Sequence, residues 1–409
     1  MTTSARALYI CYFGLREPLV QTQVLPYLRE LAQGGFGISL LTFEPSMKSR
    51  WSEQSIAEWR ERLRADGIEW HLMPYHKRPS LPATLYDIVA GARRAAAIAR
   101  REKIALFHGR STVGAAIGAL AKWMTGGRLI FDIRGFLAEE YVDAGRWRAG
   151  GLLYRLTKAA ERKLYRSSDG FVVLTERARE TLFPEGTGGR PLEVIPCCVD
   201  DERFAAAERL DRTAVRKELG IDDRLVFIYV GALGGYYLVR EMAEFLAVAR
   251  EQDARVFALV LSQSAPDALK SELSRLSFSD DDYRVLNVPP EDVPKYLRAA
   301  DVALSLIRPS FARRSMSPTK FAEYLAAGLP VIASGGIGDL DAHIEQARVG
   351  VLVHSFDRDA YAAAFEAIAE LRRDPELAAR CRAEARARYD LHTVGGARYR
   401  RLYDAVLRA

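Results

Sequence analysis

Short apolar runs rich in β-branched and aromatic residues alternate with longer amphipathic stretches along the whole chain, and this alternation is the tightest constraint on its fold. ALYICYF (7–13), GISLLTF (37–43), IEWHLM (68–73), IALFH (104–108), RLIFDI (128–133), GFVVLT (170–175) and EVIP (193–196) read as strands. LVFIYVG (225–231), VFALVLS (256–262), YRVLNV (283–288), DVALSLI (301–307), PVIAS (330–334) and VGVLV (349–353) form a second series. The stretches 84–101, 151–167, 238–251, 291–300 and 318–327 carry a helical apolar period. Near-continuous apolar strands alternating with helices mean parallel sheets covered on both faces. The pattern restarts near 225, after the polar, charged stretch 200–224. The expected fold class is therefore α/β, with two Rossmann-like doubly wound parallel-sheet domains. Such sheets bind ligands at the carboxyl ends of their strands, so two facing sheets place the ligand in a central cleft. The expected boundaries are 1–200, 201–385 and a helical, Arg/Ala-rich tail, 386–409, that returns to the first domain.

Composition narrows the class. At 409 residues the chain exceeds one ordinary core, and 49% apolar with 27% charged residues is globular. A net charge of +6 is a mild bias, short of the concentrated basic stripe of a nucleic-acid binder, so no nucleic-acid partner is expected. The four cysteines, Cys11, Cys197, Cys198 and Cys381, form no C-x-x-C pair, which argues against a disulfide framework or zinc site and fits a reducing cytoplasm. The first apolar run is short for a signal segment, and nowhere do about 18 apolar residues follow one another without a charge.

The stretch 308–341, RPSFARRSMSPTKFAEYLAAGLPVIASGGIGDLD, concentrates the chemistry. Ser317 is a candidate helix cap, with Pro318 at the first helical position and Gly328 closing the helix. The N-terminus of that helix points free N–H groups at the ligand side, a seat for phosphate. Arg313, Arg314 and Lys320 add positive charge there. Glu323 lies one turn after Lys320, placed to accept hydrogen bonds from ribose hydroxyls. The same residues also fit a solvated Lys320–Glu323 pair beside a loop coated with arginine.

Within that stretch, SPTKFAEYLAAGLPVIAS resembles the S-P-x-K-x-x-E-Y pattern of one branch of glycosyltransferase family 4, whose members have the two-Rossmann GT-B fold. Gly335, Gly336 and Asp339 are similar to that family's G-G-x-x-[DE] loop, and VVLTERARETLF (172–183) and VIPCCVDDERF (194–204) look like two further segments. The resemblance runs over nearly the whole chain. It implies a retaining, nucleotide-sugar-dependent enzyme that needs no metal, with a UDP- or GDP-sugar as donor and Gly14, Gly231, Arg313, Arg314, Ser317, Lys320, Glu323, Gly336 and Asp339 on the donor side. It also implies a glycan or lipid-linked acceptor in cell-surface polysaccharide assembly. Two departures stand out. Ser315 occupies the place of the first of two glutamates in the larger branch. GALGGYYLVRE (231–241) brings Tyr236 and Tyr237 where the family tends to carry an Arg and a Lys.

In the first half, HGRS (108–111) and FDIRGFLAEE (131–140) follow strands, and HGRS is similar to the family's H-x-[HR]-S. His108, Arg110, Asp132 and Arg134 are the candidates for positioning an acceptor hydroxyl and the donor sugar, although Asp132 and Arg134 also fit a structural ion pair. Gly14 is what remains of the family's Gly-rich turn and equally fits a packing turn. Glu139 and Glu140 fit acceptor contacts or a helix start. Residues 146–166 form a basic amphipathic pattern suited either to the inner face of an anionic membrane or to a sheet-covering helix with a solvated face.

With no protein nucleophile in view, the resemblance favours front-face transfer, in which the leaving phosphate oxygen takes the acceptor's proton. Fixed cations and helix-end N–H groups would stabilise the growing negative charge. The rival readings are a non-hydrolysing sugar-nucleotide epimerase of the same fold and a non-catalytic nucleotide-sugar-binding scaffold.

Overall fold

The computed structural model of the chain describes residues 5–76, 78 and 80–409. Among these residues thirteen strands form two sheets, both parallel throughout. The first holds β1 (Arg6–Cys11), β2 (Gly37–Glu44), β3 (Ile68–Pro74), β4 (Leu106–Arg110), β5 (Arg128–Asp132), β6 (Gly170–Val173) and β7 (Leu192–Val194), in the order β3-β2-β1-β4-β5-β6-β7. The second holds β8 (Leu225–Val230), β9 (Val256–Leu261), β10 (Tyr283–Leu286), β11 (Val302–Ser305), β12 (Val331–Ser334) and β13 (Gly350–Val353), in the order β10-β9-β8-β11-β12-β13. Strand order reverses between β1 and β4 in one sheet and between β8 and β11 in the other. These are the switch points where open α/β sheets accept ligands.

The chain divides into two compact units. One runs to Pro196 and takes back Leu391–Ala409; the other spans Cys197–Asp390. Each is an α/β sandwich of the doubly wound kind expected. In the first unit, Leu8, Ile10, Leu41, Phe43, Phe107 and Leu129 pack against Ala92, Ala95 and Ala99 of the helix Ser80–Glu102. Small residues on the helix let it lie close to the sheet. The closing helix Ala397–Arg408 buries Tyr399, Leu402, Tyr403 and Val406 within the first unit. Glu30 anchors this chain end, with His392 Nδ1 at 2.6 Å and Arg400 Nη1 at 3.0 Å.

The polar stretch 200–224 is structured, and two local expectations, on β4 and on the helix after Ser317, are corrected. The stretch 200–224 contains two helices, Asp201–Glu208 and Arg212–Leu219, whose N-caps Asp200 and Asp211 accept from the Glu202 and Thr213 amides. Each is only 8 residues long and buries two side chains at most, so no apolar period marks it. His108 and Arg110 lie inside β4 rather than in a loop after it. The helix read as starting at Pro318 runs Thr319–Ala326, with Pro318 as its N-cap, and Ser317 makes no cap. The Ser317 hydroxyl instead accepts the Cys197 amide at 3.1 Å.

Candidate functional site

In the second unit, the candidate donor-side residues gather around the switch point. Gly231, directly after β8, has φ 138°, and a Cβ there would lie 2.7 Å from Lys320 Nζ. Lys320 projects from the first turn of the helix Thr319–Ala326 and is only 7% exposed. Among the described residues its Nζ makes no hydrogen bond. Two tyrosine rings wall it instead, with Tyr237 at 3.8 Å and Tyr229 at 4.0 Å from ammonium to ring centre. Desolvation drives the Lys320 pKa well below its ordinary value, with only Glu323 opposing. The π faces favour a cation without neutralising it. A buried ammonium so placed is an open valence for an anion.

Neighbouring groups extend this cation. Tyr236 packs against Tyr237, 4.5 Å between ring centres, and the Arg313 guanidinium stacks on Tyr236 at 4.1 Å. The Arg313 carbonyl accepts the Gly338 amide at 2.9 Å, tying this short 3-10 turn to the loop after β12. In that loop the Gly336 N–H is held by the Asp341 carboxylate at 2.9 Å, and Asp339 stands at the N-cap of the helix Leu340–Ala347. Arg314 is exposed and lies against Phe311. Glu323 makes no ion pair with Lys320; its contact is Arg203, at 3.8 Å. Burial raises the Glu323 carboxyl pKa, and Arg203 and Lys320 counter it in part. Ser315 is buried with its hydroxyl donated to the Ala312 carbonyl at 2.8 Å. The strand-end amide of Val230 is taken by the Tyr324 hydroxyl, one residue beyond Glu323.

In the first unit, register places Arg110 of β4 between Cys11 of β1 and Asp132 of β5. His108, Arg110, Asp132 and Arg134 do come together, on one carboxylate. Asp132 Oδ2 lies 3.4 Å from His108 Nε2 and 3.7 Å from Arg110 Nη1, while Oδ1 meets Arg134 Nη1 at 3.4 Å. The hydroxyls of Tyr9 and Tyr399 each reach Oδ2 at 3.3 Å. Burial alone would raise the Asp132 carboxyl, but Arg134, His108 and Arg110 outweigh it and hold the group far below the usual carboxylate range. His108 has no exposed surface. Its Nδ1 meets the Tyr403 hydroxyl at 2.9 Å, and its pKa is pushed down by desolvation. The tyrosines from residues 399 and 403 escape a reading by motif because they are nearly 300 positions from the residues they complete.

Other first-unit candidates are less open. Beside Gly14, the Leu15 amide already donates to the buried Glu44 carboxylate at 2.9 Å, which also accepts from Thr42 and Trp51. Glu139 and Glu140 sit in the first turn of the helix Leu137–Asp143, where Glu139 binds Tyr154 and Lys158. The helix Leu152–Ser167 buries only Glu161 and Leu164 and leaves Leu152 74% exposed, with Leu153 and Leu156 beside it. No helix among the described residues is long and apolar enough to cross a membrane, and no group of three or more His, Cys, Asp or Glu side chains among them is placed to hold a metal ion.

Comparison with known proteins agrees with this architecture. Residues 20–198 match the model of a glycosyl transferase 4-like domain, and residues 211–388 match that of the group 1 glycosyl transferases. Comparison with curated protein sequences finds no match. Among solved structures, a glycosyltransferase from Rickettsia africae superposes with TM-score 0.73 at 13% identity, covering 99% of both chains. Anabaena HepE, solved with UDP-glucose, gives TM-score 0.68 at 15% identity, over 98% of this chain and 99% of that one. WaaG, a glycosyltransferase involved in lipopolysaccharide biosynthesis, gives TM-score 0.68 at 16% identity, also over 98% and 99%. All three likenesses are of fold.

Proposed function

The chain belongs to the family 4-like glycosyltransferases of GT-B fold and is a nucleotide-sugar-dependent enzyme; from that premise we propose that it transfers a sugar, with retention, from a UDP- or GDP-sugar to a glycan or lipid-linked acceptor in cell-surface polysaccharide assembly. The observation that carries this reading is Lys320, a buried ammonium in the first turn of its helix with aromatic walls and, among the described residues, no hydrogen bond; Glu323 acts on it only through the field. A donor diphosphate supplies the missing counter-charge, and Arg313 and the helix-end amides add to it. That charge matters most as the sugar–oxygen bond breaks and negative charge grows on the leaving phosphate. Glu323, one turn along the same helix, is the candidate partner of the ribose hydroxyls.

Ser315 supports front-face transfer. Its hydroxyl is buried and committed to a backbone carbonyl, so it offers no nucleophile to the anomeric carbon. The proton of the acceptor hydroxyl then passes to the leaving phosphate oxygen. No metal is needed in this scheme, because Lys320 and Arg313 occupy the electrostatic role. In the first unit, Arg110 and Arg134 are the candidates facing the sugar and acceptor, with His108 and Asp132 positioning them from behind.

The nucleotide-bound HepE structure and the stated pathway of WaaG support the donor and pathway parts of the proposal. Exposed Leu152, Leu153 and Leu156 beside exposed Arg155, Arg162, Lys163 and Arg166 support a peripheral resting place on an anionic membrane, on its cytoplasmic face. Mass-spectrometric screening of purified protein against UDP- and GDP-sugars with candidate acceptors tests the reading. Nucleotide release that requires acceptor supports transfer; conversion of the donor without acceptor would identify an epimerase, and binding of no nucleotide sugar would sink the proposal.

A further inference from the structure

At the carboxyl ends of β1 and β3, a hydrogen-bonded group separate from the Asp132 cluster joins Tyr12, His76 and Asp87. Asp87 lies on the helix Ser80–Glu102 and its side chain is 1% exposed. Its Oδ2 accepts the Tyr12 hydroxyl at 2.7 Å and the His76 backbone N–H at 3.0 Å, and its Oδ1 lies 2.6 Å from His76 Nδ1. A carboxylate can only accept, so Nδ1 carries a proton, and in the neutral tautomer that this bond selects the lone pair stands on Nε2. The His76 side chain is 43% exposed, and among the described residues Nε2 has no partner. Tyr86 meets the imidazole edge-on at 5.1 Å, while Phe43 and Tyr75 fix the Tyr12 ring. Burial, reinforced by Asp87, pushes the Tyr12 phenol well above its ordinary pKa, so it remains a donor to the carboxylate.

The arrangement holds one imidazole nitrogen outward, in a fixed tautomer, at the ligand-binding end of the sheet. A neutral nitrogen lone pair selects a hydrogen-bond donor. Among groups a glycosyltransferase handles, that is a carbohydrate hydroxyl rather than a phosphate, which offers only acceptors when fully ionised. We propose that His76 is an acceptor-binding residue whose Nε2 takes a hydrogen bond from a hydroxyl of a sugar acceptor, with Asp87 and Tyr12 as its positioning residues. This rests on the reading of the chain as a transferase with a carbohydrate acceptor.

Nitrogen-detected NMR of the full chain labelled with 15N-histidine tests it, with methyl glycosides of glucose, galactose and mannose as probes in the presence of UDP and, separately, of GDP. The expected spectrum shows His76, assigned by its loss in His76→Gln, as the Nδ1–H tautomer, and at least one glycoside moves its Nε2 signal. With a glycoside that is turned over, His76→Gln raises the acceptor KM roughly tenfold and leaves the donor KM unchanged. Asp87→Asn, which frees the tautomer, gives the same split. An Nε2–H tautomer, a His76 signal indifferent to all three glycosides, or an unchanged acceptor KM in His76→Gln overturns the inference. If UDP or GDP binds but His76 does not respond, the inference fails alone; if neither nucleotide binds, the transferase reading fails and takes the inference with it.

Discussion

Asp132 and Lys320 are both buried charges near the carboxyl ends of parallel strands, and their surroundings treat them in opposite ways. Asp132 is closed: two guanidiniums, an imidazole and two phenol hydroxyls from four stretches of chain converge on it. Lys320 is open, with two aromatic faces and, among the described residues, no hydrogen bond. A closed cluster spends its electrostatics on holding the fold and aiming the groups at its rim. An open one keeps its electrostatics for a ligand, at a standing cost in stability.

The largest effect that would break this comparison is expected at the closed site. Asp132→Asn leaves Arg110 and Arg134 buried without their counter-ion, and urea unfolding should show a loss of about 3–5 kcal/mol. A loss below about 1 kcal/mol would mean the cluster is loosely held. Next comes the open site. Lys320→Met should weaken UDP or GDP binding roughly a hundredfold, the scale expected when a charge-assisted hydrogen bond is removed from a buried site, read by calorimetry. Gly231→Ala, whose Cβ would crowd the same ammonium at a left-handed φ, should reduce both affinity and stability.

Glu323→Ala is expected to cost roughly tenfold in affinity for nucleoside and nucleoside diphosphate alike, with the fold intact. Equal affinities in variant and wild type would remove its assignment to the ribose. Arg313→Ala should weaken diphosphate binding a few-fold and nucleoside binding hardly at all, with Arg314→Ala weaker still because Arg314 lies outside the tyrosine wall.

A half-buried group sharpens the contrast by shedding its charge altogether. His343 packs against Tyr389, and desolvation with Arg388 lowers its pKa to about 4. Because the folded value lies below the unfolded one, its contribution to stability is present above about pH 6.5 and is lost as pH falls toward 4. His343→Gln should flatten that part of the stability–pH curve; an unchanged slope would place the titration elsewhere.

What the sequence makes legible follows from range. The strands and the Lys320 helix are visible because apolar period, Pro318 and Gly328 act over a few residues. Strand-end residues His108, Arg110, Asp132 and Arg134 are visible as candidates because parallel register aligns β4 with β5. Which of them faces a ligand is not, since that depends on Tyr9 from the first strand and Tyr399 and Tyr403 from the last helix. The Gly14 turn likewise depends on Glu44, thirty positions on, and the His76–Asp87 pair on a helix turn folding back to a strand end. Tyr237 is noticeable only as a replacement for an expected cation. Its use as a wall around Lys320 appears once β8 and the helix are side by side.

Thermal unfolding of the wild type and Lys320→Met, each with and without UDP, tests the distinction between closed and open charges most directly. The variant alone is expected to unfold at or above the wild-type midpoint, because a buried cation without a hydrogen bond has gone, and UDP is expected to raise only the wild-type midpoint. A variant that unfolds earlier without ligand and is still stabilised by UDP as fully as the wild type would contradict that distinction.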